Sequence, residues 1–341
     1  MKRFVWVFRL GLVFNGLLVF VSMNHAQIEK WTKKADMPIP RLFFSTSAVD
    51  GLVYAIGGTL AEPLAIVDAY DPATDKWAQK ANMPAARAGV ATSVVNGKIY
   101  AIGGWNNLAP ALPTVEAYDP ATNTWARKAD MPTARVFFST AVVDGKIYAI
   151  GGIATNVGPV LPTVEVYDPL TDRWIKKADM PNPRSGMSAV SVEGKIYVIG
   201  GTPDVQGPVL STVEAYDPVT DTWTRKANMP TARTALATVA LDRTIYAIGG
   251  TSAVQGPGLV TVEGYDPVTN TWAKKTDMPT ARVFLGAGLA NQKIYAIGGV
   301  AKGLGPDILP TVEELDAGLG VEAKGKLPTL WGEIKQAHWR R

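Results

Sequence analysis

The chain of 341 residues has no cysteine, which rules out thiol catalysis, thiolate metal sites and disulfides. Histidine is almost as scarce. His25 and His338 lie near the two ends, so the long middle of the chain has no histidine for a base, a Ser-His-Asp triad or a metal site. No Asn-x-Ser/Thr acceptor occurs. Charge is nearly balanced, with 34 Lys+Arg against 30 Asp+Glu. There is no basic stripe with interleaved aromatics, so no nucleic-acid partner is expected. The N-terminal apolar run, Leu10 to Ser22, is 13 residues long, short of the roughly 20 that span a bilayer as a helix.

That run has a particular setting. Lys2, Arg3 and Arg9 precede it, and Met23-Asn24-His25-Ala26 follow it, which is the order of a secretory signal. Residues 1–26 are therefore expected to be a signal peptide, with an uncleaved anchor as the alternative. Their removal takes Lys+Arg from 34 to 31 against 30 acidic residues, so the mature chain is close to neutral. Export to the periplasm or the extracellular space is expected, with no membrane span in the mature chain. Without disulfides such a protein relies on its core, and 47% hydrophobic residues supply one.

What is present is a repeat. Gly-Gly doublets fall at 57–58, 103–104, 151–152, 200–201, 249–250 and 298–299. Trp31, Trp77, Trp125, Trp174, Trp223 and Trp272 recur in phase, as do the arginines of a Pro-x-x-Arg turn. A period near 50 residues, rich in short strands and turns, is the mark of β-propeller blades. The expected fold is all-β: a six-bladed β-propeller of four-stranded antiparallel blades.

The third unit shows how one repeat makes one blade. Val136–Val143 and Lys146–Ile150 flank Asp144-Gly145, a strong hairpin signal because both central residues need φ > 0. Strand three is expected at Thr163–Tyr167, and strand four begins at Trp174 and stops at Met180-Pro181. Asp242-Arg243 and Asn291-Gln292 lack the turn glycine, so those turns should be strained or differently shaped. The expected closure pairs residues 28–36 with 311–316, and Val321–Pro328 is the rival closing strand. The propeller then spans 27–328, with a tail at 329–341, and a monomer is expected.

The Ile-Tyr-Ala-Ile-Gly-Gly strand, the Val-Glu-x-Tyr-Asp-Pro segment, the Trp and the Pro-x-x-Arg turn together resemble the kelch repeat. The likeness runs over residues 28–316 in six copies. It implies a six-bladed propeller but no single activity, since kelch propellers include protein-binding adaptors, a copper oxidase and a sialic-acid mutarotase. The oxidase's His and cross-linked Cys are missing here, so no cofactor is implied.

The candidate site residues are Arg41, Arg87, Arg135, Arg184, Arg233 and Arg282, each in the loop entering an innermost strand. In kelch adaptors, arginines at the matching place grip acidic peptides, so the resemblance implies an anion-binding rim around one mouth of the channel. Alternatively, each Arg pairs with the strand-three carboxylate: Asp68, Glu116, Glu165, Glu214, Glu263 or Glu313. Those carboxylates recur in every blade, whereas a catalytic acid pair is normally singular. The asymmetric positions are Phe43, Phe137 and Phe284, two residues past their arginines, together with Trp105 and Asn106. They point to a sugar or peptide site, or else to simple filling of the axial core.

The expected function is a non-catalytic binding or interaction scaffold that holds a protein or carbohydrate partner, an anionic one included. The alternative is an extracytoplasmic sugar-acting enzyme resembling the mutarotase.

Overall fold

The computed structural model describes residues 29–317 apart from 156–157, 205 and 303–306. The expected signal peptide, the tail 329–341 and the rival closing stretch Val321–Pro328 lie outside the described residues. Within them the chain is all-β, with six four-stranded antiparallel sheets arranged as blades in a ring. No helix among these residues is long and apolar enough to cross a membrane.

Each blade runs from the axis outward in chain order. Blade 3 is Ser139–Val143, Lys146–Ile150, Val164–Asp168 and Arg173–Lys176. Its first strand starts three residues later than the sequence suggests because Phe137 has φ 52°, which cannot continue a strand. Second strands such as Lys146–Ile150 are buried at every position after the first, because they are covered by neighbouring blades on both faces. Fourth strands such as Arg173–Lys176 form the exposed outer edge.

Aromatic residues sew the blades together. The indole Nε1–H of each in-phase Trp of the repeat donates to a carbonyl at the end of the preceding blade: Trp77 to Ala35 at 3.0 Å, Trp125 to Ala81 at 2.9 Å and Trp223 to Ala178 at 3.1 Å. A strand-three tyrosine, such as Tyr118, donates its hydroxyl to Asn123, whose Oδ1 also accepts the Ala81 N–H of the preceding blade. Tyr118 and its equivalents are fully buried, each contributing about 2–3 kcal/mol through area removed from water.

The ring closes as expected. Lys30–Lys34 pairs with Val312–Asp316, placing Trp31 opposite Leu315. Trp31 donates to the Thr276 carbonyl at 2.9 Å, and Glu29 accepts the Thr276 N–H at 3.0 Å, standing in for the Asp or Asn of the other blades. Closure pairs the otherwise open edge of Val312–Asp316 and completes the last blade, leaving only short outer strands as edges.

The two glycine-free hairpins differ. Asn291 and Gln292 both adopt left-handed backbone (φ 51° and 60°), as the Asp-Gly turns do, so the glutamine carries strain. In the other turn only Asp242 is left-handed, which makes that turn a different shape.

Candidate functional site

The antiparallel order brings two sets of loops to one face: those after the Gly-Gly doublets and those carrying the arginines. The hairpin turns and the Asp-Pro turns lie on the opposite face. There each turn aspartate caps its own loop, as Asp119 does by accepting the Ala121 N–H at 3.0 Å.

All six arginines are completely buried. Each guanidinium is turned into its own blade, against the strand-three carboxylate. The distance is 2.6 Å for Arg87–Glu116 and for Arg233–Glu263, and 3.3 Å for Arg282–Glu313. Arg41–Asp68, Arg135–Glu165 and Arg184–Glu214 are paired in the same way. The second guanidinium nitrogen binds backbone carbonyls; that of Arg87, for example, donates to Gly103 at 3.1 Å and Thr114 at 3.0 Å. Burial draws each arginine's pKa below its ordinary value, and the paired carboxylate opposes that pull. The anion-binding rim expected of these arginines therefore finds no exposed guanidinium. Of the two sequence readings, the structure places all six in the pairing geometry.

Glu165, Glu214 and Glu263 are engaged on both oxygens. The second oxygen of Glu165 accepts from Thr133 at 2.8 Å, that of Glu263 from Thr231 at 2.8 Å, and that of Glu214 from Asn182. A carboxylate held on both oxygens has no free position from which to take a substrate proton.

The Arg loop explains the Gly-Gly doublet. The Gly58 N–H donates to the Arg87 carbonyl of the next blade at 2.9 Å. A Cβ on Gly57, where φ is +65°, would stand 2.6 Å from that same carbonyl oxygen. Arg87, Arg135, Arg184, Arg233 and Arg282 thus each hold their own blade by the side chain and the preceding blade by the backbone carbonyl.

Two residues past each arginine the chain turns left-handed, at Phe43, Gly89, Phe137, Gly186, Ala235 and Phe284. These residues form a hydrogen-bonded belt around the axis; Gly89 donates to Phe43 at 2.7 Å and Ala235 to Gly186 at 2.7 Å. Three bulky residues in this conformation cost on the order of 1–3 kcal/mol each, strain of the kind found at functional sites. The Phe43 ring packs edge-on against Phe284 at 4.5 Å and against Phe137 at 5.3 Å, so the three phenylalanines gather at the mouth of the channel.

This triad lines the loop-face vestibule and a hollow of about 140 Å³ just inside the channel, above a polar cavity farther along the axis. Within the ring, a polar axial cavity of about 230 Å³ is lined by the innermost strands, with hydroxyls from Thr46, Thr92, Ser139 and Thr238. At the loop face, a mainly apolar vestibule of about 210 Å³ spreads off-axis over blades 4 and 5. Phe43, Phe137, Phe284, Ile153, Val254 and Val283 supply its apolar wall, and Ser185, Thr202, Gln206 and Gln255 its polar groups. No ionisable residue lines it among the described residues.

Trp105 and Asn106 fall outside the vestibule, in a separate hollow formed by residues 105–110. Asn106 is occupied by its own loop, its Oδ1 accepting the N–H groups of Leu108 and Ala109 at 2.9 Å. Sequence reasoning brought the three phenylalanines to the site but missed the polar residues. Their signal was a Val-Gln-Gly-Pro segment at 205–208, repeated at 254–257.

Comparison with known proteins agrees with this architecture. The kelch motif matches residues 40–84 and 232–279, and the calicin β-propeller domain matches residues 69–232. No curated protein matches the chain. Among solved structures, that titled "Structure of YjhT" superposes with a TM-score of 0.71 at 17% identity, covering 81% of this chain and 95% of that one. At that identity the likeness concerns the fold.

Proposed function

Because the chain is a kelch-repeat β-propeller whose repeated charges are consumed inside its blades, we propose that it is a non-catalytic binding module of an exported protein. It holds its partner on the loop face, with the vestibule as the anchoring pocket. The observation that carries this reading is a contrast: the arginines and carboxylates that recur are buried and mutually paired, whereas the residues that break the repeat line an apolar vestibule at the mouth of the channel. Pockets of this kind, apolar with a few convergent polar groups, are the usual places for ligands. A lining without an ionisable side chain supplies no general acid or base, which supports binding over turnover. Export rests on the positive, apolar and short polar order of residues 1–26.

The test is capture of extracytoplasmic proteins and glycans by immobilised propeller. A Phe137→Ala/Phe284→Ala variant should lose at least tenfold in capture. A Leu170→Ser/Val219→Ser variant, altered on the opposite face, should retain it. Equal loss in both, or in neither, would contradict the proposal.

A further inference from the structure

The vestibule carries more information than its apolar wall. Ser185 and Thr202 are only 7% and 6% exposed, yet neither hydroxyl has a hydrogen-bond partner among the described residues. Both line the vestibule. Neither oxygen is among the sealed, unsatisfied side-chain atoms of the described interior, so both hydroxyls open onto the vestibule, where a ligand can reach them. At the rim, the carboxamides of Gln206 and Gln255 are also without a partner among the described residues, and Gln255 holds a left-handed φ of 61°. The neighbouring hydroxyls of Thr234 and Thr251 are, by contrast, spent on the carbonyls of Gly186 and Ala253.

Resting on the binding role argued above, we infer that the vestibule is a site for one neutral sugar ring. Four properties converge on that class. The wall has three aromatic rings, whose electron-rich faces suit the polarised C–H face of a pyranose. The open polar groups are two hydroxyls and two carboxamides, each able both to donate and to accept, which matches a ligand that presents several hydroxyls. A tyrosine side chain from a peptide would bring one hydroxyl and leave most of these groups unsatisfied. With no charged residue in the lining, a carboxylated sugar would bury its charge without a partner, at a cost of several kcal/mol. The volume fits as well: about 210 Å³ lies below the roughly 300–1,000 Å³ of drug-sized pockets, so a single ring fits and a buried oligosaccharide does not.

The experiment is saturation-transfer NMR on the full propeller, with affinities from titration. The probes are the methyl glycosides of glucose, galactose and mannose, with glucuronate and N-acetyl-tyrosine amide as competitors in class. At least one neutral glycoside should bind, with transfer strongest from its C–H face and little change when salt is raised through the range that screens surface charge. Ser185→Ala/Thr202→Val and Gln206→Ala/Gln255→Ala should each weaken it at least tenfold, at unchanged melting temperature. Preference for glucuronate or for the tyrosine amide would overturn the inference, as would binding insensitive to both double variants. If no glycoside binds while Phe137/Phe284-dependent partner capture persists, the sugar assignment fails and the binding role stands. If capture also ignores those phenylalanines, both fail.

Discussion

Arg87 and Glu116 face each other at 2.6 Å with neither side chain meaningfully exposed, and the Arg87 carbonyl meanwhile accepts the Gly58 N–H of the neighbouring blade. One residue therefore satisfies a buried charge and a blade-to-blade contact together. Arg87→Ala would leave Glu116 buried without its counter-charge, and breaking such a pair costs about 3–5 kcal/mol. Urea unfolding of the variant should show a loss of that order. A loss within 1 kcal/mol would mean that the pair is not holding the blade.

Gly57 and Gly97 provide a matched contrast. Both have positive φ (+65° and +73°), but a Cβ on Gly57 meets a backbone carbonyl at 2.6 Å, whereas a Cβ on Gly97 meets nothing within 4 Å. Gly97→Ala should cost about 1–2 kcal/mol, from conformation alone. Gly57→Ala should cost clearly more, since the obstructing atom belongs to the backbone that joins two blades. Thermal melts of the two variants give the comparison directly.

Gln292 occupies the position that glycine takes in four of the other hairpin turns, with φ 60°. Gln292→Gly should raise stability by up to about 1 kcal/mol by relieving left-handed strain. The gain should be visible as a higher denaturation midpoint with the slope unchanged.

Glu314 breaks the strand-three pattern in the closing blade. It accepts the Tyr295 hydroxyl at 2.7 Å and the Lys293 ammonium at 2.7 Å, and lies 3.3 Å from Lys34. Burial pushes its pKa up, but the hydrogen bonds from Lys293 and Tyr295 and the two lysine charges together bring it below the ordinary glutamate value. A carboxyl whose folded pKa lies below its unfolded value of about 4.3 stabilises fully above that pH, and the contribution is lost as pH falls through the folded value. The wild type should therefore lose stability on acidification below about pH 4.3 more steeply than Glu314→Gln. Parallel curves for the two proteins would exclude this role.

The architecture was legible because a blade is a local unit repeated six times, so each turn, Trp and doublet could be checked against five others. Closure was legible for the same reason: Trp31 arrives as a fourth strand without its first three, and Val312–Asp316 as a third strand without its fourth. The direction in which the arginines point was not. An arginine at a strand entrance can turn outward or inward, and the choice depends on carbonyls of the Gly-Gly turn and on a carboxylate about 30 residues away in sequence. Phe43, Phe137 and Phe284 stood out as departures from small residues at one position. Ser185, Thr202, Gln206 and Gln255 come together only through the ring's curvature, and nothing in their spacing sets them apart from ordinary loop residues, save the shared Val-Gln-Gly-Pro segment.

The account rests on the loop-face vestibule being where a partner sits. Hydroxyl-radical footprinting of the propeller, alone and with the extracytoplasmic material it captures, tests this most directly. Protection is expected at Phe137, Val254 and Phe284, with Leu170, Val219 and Val268 on the opposite face left as reactive as in the free protein. Protection of Leu170, Val219 and Val268 with the three vestibule residues unchanged would contradict it.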